Sequence, residues 1–67
     1  MLTERDYMRC ALWMIERHGR SALRRAELRA TELDEQGDSG GCHTWTEVAA
    51  RIRKILAAAK NPPEPKA

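Results

Sequence analysis

Phenylalanine is absent from this sequence, and tyrosine and tryptophan together supply only three of its 67 residues. Aromatic side chains carry the largest apolar areas a core can bury. Their scarcity leaves that task to leucine, isoleucine and, above all, alanine, which hides little surface. At ~25 cal/mol per Å² of apolar area, such a core outweighs chain entropy only narrowly. The length allows one small domain, near the lower limit of what folds unaided. A second copy or a bound partner is the expected supplement. Cysteine is limited to Cys10 and Cys42, which excludes a disulfide framework; both are expected to stay reduced in the cytosol. Long apolar runs are lacking too. Cys10 to Ile15, the longest near the N-terminus, is too short for a signal-peptide core or a membrane span. A cytoplasmic chain without membrane contact is expected. Proline occurs only at 62, 63 and 65, so residues 61–67 are expected to form a disordered, flexible Pro-rich C-terminal tail.

Charge is present and segregated. Residues 1–30 carry seven Arg against four acids, residues 31–50 five acids and no Lys or Arg, and residues 51–67 five bases against Glu64. A folded part made to grip nucleic acid is more often basic throughout. The basic, acidic, basic order suits charge pairing within the molecule or across an interface.

The periodicity predicts an all-α fold: a small three-helix bundle over residues 1–60, with helices at about 4–18, 21–36 and 45–60. Thr3 with Asp6 three residues on resembles a capping box. Tyr7, Met8, Cys10, Ala11, Leu12, Met14, Ile15 and His18 fall on one broad arc of the first helix. Gly19 is expected to end that helix, with a partly positive His18 suiting its negative end. The second helix, capped by Ser21 and stopped by Gly37, has a thin core face of Ala22, Leu23, Ala26, Ala30 and Leu33. Its charges oppose its dipole, with Arg20, Arg24 and Arg25 at the positive end and Glu32, Asp34 and Glu35 at the negative end. Each such placement costs ~0.3–1 kcal/mol against the reverse. Local pairs such as Arg24–Glu27 and Arg29–Glu32 return only a few tenths, so an interface is the simplest reason for the layout. Thr44 to Glu47 reads as the capping box of the third helix. Its stripe is Trp45, Val48, Ala49, Ile52, Ile55, Leu56 and Ala59, with Glu47–Arg51 an i,i+4 pair.

Gly37-Asp38-Ser39-Gly40-Gly41 matches the motif around the nucleophilic serine of chymotrypsin-like proteases. That chemistry needs a histidine base, an orienting aspartate and an oxyanion hole on two β-barrels. Here the motif lies between predicted helices, where its glycines suffice to reverse the chain. No catalytic residue is assigned and no enzyme is expected. Cys10, His18, Cys42 and His43 lack the close paired spacings of structural zinc sites, so no metal or other cofactor is expected. Arg17, Arg20, Arg24 and Arg25 at the first turn, and Arg51, Arg53, Lys54 and Lys60 on the last helix, make nucleic acid the alternative partner. Trp45 to Ala49 resembles a Myb-type helix, but no recognition helix follows it.

Trp13, among Arg9, Glu16 and Arg17, and Leu28, opposite its helix's alanine face, fit the core pattern badly. One explanation is an asymmetric bundle with the indole lying over arginine neighbours. The other is a surface for a protein partner or self-association, built from Arg9, Trp13, Arg17, Arg24 and Leu28.

"ALWMIERHG" (11–19), Gly37-Asp38 and "WTEVAARI" (45–52) together resemble a group of short bacterial proteins of unknown function. These share an ALW…HG helix end, a GD turn and a W-x-x-hydrophobic-Ala-x-Arg closing helix. The likeness covers most of residues 7–56, while residues 20–30 depart from it. It implies a helical fold with a structural turn at Gly37-Asp38, and brings no activity with it. The function expected is that of a small helical interaction or regulatory protein, with a nucleic-acid-associated regulator as the alternative.

Overall fold

A computed structural model describes residues 2–59; the tail expected at 61–67 lies outside the described residues. The chain enters its first helix at Thr3. The Thr3 hydroxyl oxygen accepts from the Asp6 backbone N–H at 3.4 Å, and the Thr3 N–H donates to Asp6 Oδ2 at 2.9 Å. These reciprocal bonds satisfy two donors that the helix cannot; the bond from the Thr3 N–H, and then one from the Thr3 hydroxyl, hold the Asp6 carboxyl below its ordinary range. Helix α1 then runs over Glu4–His18.

The expected three-helix bundle is corrected at Gly19. No loop follows α1. A 3₁₀ turn at Gly19–Ser21 leads directly into α2 (Ala22–Glu35), so no loop residue separates the two arms between residues 4 and 35. The fold is therefore two helical segments, a long bent one with α1 and α2 as its arms, and α3 (Ser39–Ala58). The physical reason is that Gly19 is bonded into both arms, its carbonyl accepting from the Ala22 N–H. Gly19 adopts φ 57°, closed to most side chains, while its N–H still donates to the Ile15 carbonyl. Ser21 does not cap α2; its hydroxyl turns back and donates to the His18 carbonyl at 2.8 Å. The arms touch each other little, and both pack on α3. An up-down-up bundle would need α1 and α2 paired along their lengths.

The second turn is short because Gly37 and Asp38 both serve it. Gly37, at φ 80°, donates its N–H to the Asp34 carbonyl at 3.0 Å, and Asp38 donates to the Leu33 carbonyl at 2.8 Å. This pair of bonds is the Schellman arrangement that closes a helix end. The Asp38 carboxylate then accepts from the Gly41 N–H at 2.8 Å and starts α3. The third helix thus begins at Ser39, ahead of the expected cap at Thr44, whose hydroxyl instead donates to the Gly40 carbonyl at 3.0 Å within the helix. Only Gly37 of the three glycines here needs a positive φ. Gly41 is needed for space: a Cβ there would lie 2.7 Å from Asp38 Oδ2 and 3.1 Å from Leu33 Cδ1.

The core lies where both arms meet α3. Ala11, Met14 and Ile15 come from α1, Ala22 and Ala26 from α2, and Val48, Ala49 and Ile52 from α3, with Tyr7, Leu23, Trp45, Ile55 and Leu56 packed partly against them. Ala30 and Leu33 are also buried. Cys10 and Leu12, expected on the inner arc of α1, are exposed. The alanine-lined partner helices take only the narrow stripe of α1 centred on Ala11.

Two cross-helix ion pairs tie the arms to α3. Arg51, its side chain only 18% exposed, donates through Nε to Glu4 Oε2 at 2.9 Å and through Nη2 to Glu4 Oε1, and reaches Glu47 Oε1 with Nη1 at 2.6 Å. Its guanidinium also stands 5.0 Å from the Tyr7 ring centre. Arg53 pairs with Glu27 of α2 at 2.9 Å, which displaces the expected Arg24–Glu27 pair. Arg29 and Glu32 approach to 3.9 Å.

Gly41→Ala is expected to lower stability by ~1–3 kcal/mol, because the Asp38 cap or Leu33 must shift. Gly40→Ala, whose Cβ would meet nothing closer than Asp38 Oδ1 at 3.8 Å, is neutral or stabilising by up to ~1 kcal/mol. Urea melts of the two variants check the contrast. The hydrogen bond from Arg51, ahead of its charge, holds the Glu4 carboxyl below its ordinary range. Glu4 therefore contributes stability above its unfolded pKa of about 4.5, and that contribution is lost as pH falls through its folded value. Acid melts of Glu4→Gln, which has no such titration, should show a shallower decline than the parent between those two pH values.

Candidate protein-binding surface

Helical spacing sets what α1 and α2 show to solvent. With Ala11, Met14 and Ile15 turned inward, Arg9, Trp13 and Arg17, spaced four apart, come to the outer side of α1. With Ala22, Ala26, Ala30 and Leu33 inward, Arg24 and Leu28 stand on the outer side of α2. All five residues are exposed. Leu12, Trp13 and Leu28 each leave 53% of their surface in solvent.

The Arg17 guanidinium lies 4.9 Å from the centre of the Trp13 ring. The indole is thus partly covered by its arginine neighbour, as one of the two sequence explanations requires, yet half its surface is still exposed. Arg9 borders a shallow depression on α1 floored by Met8 and Leu12. Among the described residues, no hydrogen bond, ion pair or ring contact joins Arg9, Arg24 or Leu28 to the Trp13–Arg17 pair. The five residues are exposed together but are not assembled into one cluster by direct contact.

Leu12 was missed as a surface residue. Its signal was its place at the margin of an arc too wide for α2 and α3 to cover with alanines. A second feature that spacing alone did not show is the field at the bend. His18 is half-buried, and desolvation, followed by the charges of Arg25 and Arg17, lowers its pKa. The partly positive imidazole expected at the end of α1 is therefore corrected to one biased toward the neutral form. The helix dipole is outweighed there by burial and two guanidinium groups, one from each arm.

The chemistry hinted at by Gly37 to Gly41 has no geometry to support it. Asp38 is engaged with the Gly41 N–H, Ser39 is the first residue of α3, and no described imidazole is hydrogen-bonded to the Ser39 hydroxyl. Among the described residues no three His, Cys, Asp or Glu side chains gather as metal ligands, and no helix is long and apolar enough to cross a membrane. No family model, curated protein or solved structure matches this chain.

The His18 shift fixes a pH dependence. The unfolded chain takes up the imidazole proton from about pH 6.5 downward, before the folded one does, so stability is complete above that pH and falls below it. Proton NMR of the His18 ring is expected to show a midpoint under 6.5; a midpoint above it contradicts the desolvated, cation-flanked site.

Proposed function

We propose that this is a small, non-catalytic helical protein that works by protein–protein contact, through exposed apolar and arginine side chains on the outer sides of α1 and α2. The observation that carries this reading is the exposure of Trp13 and Leu28, at 53% each, in a chain whose buried hydrophobic side chains, among the described residues, are half alanine. Tryptophan and arginine are the side chains that most often anchor protein interfaces, and here they stand in contact with each other before any partner binds. Water around an uncovered indole and leucine is released when a partner covers them. The partner is either another chain or a second copy of this one, and the site of action is the cytoplasm.

The nucleic-acid alternative loses two of its contacts. Arg51 is engaged with Glu4 and Glu47, and Arg53 with Glu27, so two of the four basic side chains of that stripe are neutralised within the molecule. The motifs of the resemblance fall at the bend (His18-Gly19), the turn (Gly37-Asp38) and within α3 (Trp45 to Ile52).

The test compares the parent with Trp13→Ala and Leu28→Ala in native mass spectrometry and in pull-downs from the source cells. Both variants remove exposed atoms, so their helical circular dichroism should match the parent. Loss of a higher-mass assembly, or of a specific captured protein, in either variant is the expected result. A parent that neither assembles nor captures anything, or variants that do so unchanged, would contradict it. Salt-dependent retention of the parent on DNA would favour the alternative.

A further inference from the structure

We propose that the outer face of α2 is a self-complementary dimer interface, on which a second copy of the chain lays its own α2 antiparallel about a twofold axis at Leu28. This rests on the reading of the protein as one that acts by protein contact, and it specifies the partner and the register.

The argument starts from the order of charges along α2. Arg24 and Arg25 stand in its first turn, Leu28 at its middle, and Glu32 and Glu35 in its last turn. All five are exposed. Arg24 precedes Leu28 by four residues and Glu32 follows it by four, so a twofold axis at Leu28 sets Arg24 of one copy opposite Glu32 of the other. The same operation brings Arg25 beside Glu32, and Arg24 within reach of Glu35, across the seam. Because the axis is twofold, each pairing occurs twice. A parallel pairing would instead face arginine with arginine and glutamate with glutamate.

Within one chain this layout is unfavourable. Arginines crowd the positive end of the α2 dipole and carboxylates its negative end, a placement that weakens an isolated helix. The fold does not compensate. Arg24, Arg25 and Glu35 form no ion pair with any described residue, and Glu32 has only Arg29 at 3.9 Å. The other charged residues that face neighbouring elements, Glu27 with Arg53 and Glu4 with Arg51, are paired across helices. The end charges that α2 leaves unpaired thus include the ones an antiparallel second copy would match, with an exposed leucine at the centre to be desolvated between them.

The interface is modest. The 14 residues of α2 extend about 21 Å at the usual helical rise, and one helix pair of that length buries less than the ~1,000 Å² of a firm interface. The dimer is accordingly weak, concentration-dependent and sensitive to salt.

The experiment is sedimentation equilibrium of the full chain, alone and in mixtures. One variant carries Arg24→Glu with Arg25→Glu, the other Glu32→Lys with Glu35→Lys. Each variant places charges that suit the α2 dipole, so both keep their helical signal, and loss of the dimer cannot be blamed on unfolding. The parent is expected to dimerise at low salt, with a dissociation constant at least about tenfold higher near molar salt. Each variant alone is expected to be monomeric, and an equimolar mixture of the two to form a heterodimer. As a check on register, Leu28→Cys with Cys10→Ser and Cys42→Ser should oxidise to a dimer linked through position 28, since facing helix surfaces bring Cα atoms within disulfide range. Charge variants that dimerise as the parent does, or an absent 28–28 link, overturn the α2 pairing while leaving self-association through another face. A parent that is monomeric at every concentration overturns the pairing too, and the wider protein-contact reading then depends on what Trp13 and Leu28 capture.

Discussion

Side chains one carbon long set the terms of this structure. Ala22, Ala26 and Ala30 of α2 and Ala49 of α3 are buried, and a Cβ at Gly41 would crowd the Asp38 carboxylate and Leu33. Alanine contacts let helix axes approach closely but remove little surface from water. The core that results is shallow, and it cannot cover a wide arc of α1. Leu12 and Trp13 are left outside for that reason, and Leu28 faces away from the contact altogether. The polar ties follow from the same shallowness. Arg51 and Arg53 reach from α3 to Glu4 and Glu27, fixing both arms at points where apolar contact is thin. Arg51 lies mostly under its partners and the Tyr7 ring, where screening by salt is weaker than for a pair in open solvent.

The outer surface is what this core leaves over. Half-exposed apolar residues stand near Arg9 and Arg24, which form no ion pair with a described residue, and α2 keeps a charge order that its own dipole disfavours. Features that cost a monomer stability and have no internal compensation are readily explained by contact with another molecule. Several polar groups near the second turn and on α3 are used structurally. Asp38 caps α3, Glu4 and Glu47 hold Arg51, and Ser39 starts a helix.

Much of the local structure was legible in the residues. The capping box at Thr3 and Asp6, the glycine stop at Gly37 and the buried stripe of α3 all follow from short-range rules, because each depends on neighbours within four positions. The errors have one cause. Gly19 and Ser21 have the residue types of a stop and a start, although a single glycine followed by a 3₁₀ turn joins the two arms with no loop between them. Thr44 to Glu47 matched a capping box, but Asp38 provided an earlier cap, and Gly41 entered the helix where the Asp38 carboxylate and Leu33 leave little room for a side chain. Which of two caps operates is decided by tertiary approach. The pairing of Glu27 with Arg53 was hidden for the same reason, since a partner 26 residues away competes with the local Arg24. Of the candidate surface, Trp13 and Leu28 stood out because they break the periodicity of their helices, whereas Leu12 obeyed it and was lost.

The central claim is that an alanine-lined core leaves this fold dependent on covering its outer apolar residues. Thermal unfolding by circular dichroism, repeated over about a hundredfold range of protein concentration, tests it most directly. The melting temperature should rise with concentration, because association stabilises the folded chain and not the unfolded one. A melting temperature that stays constant across the whole range would show that the shallow core is sufficient alone, and would contradict the account.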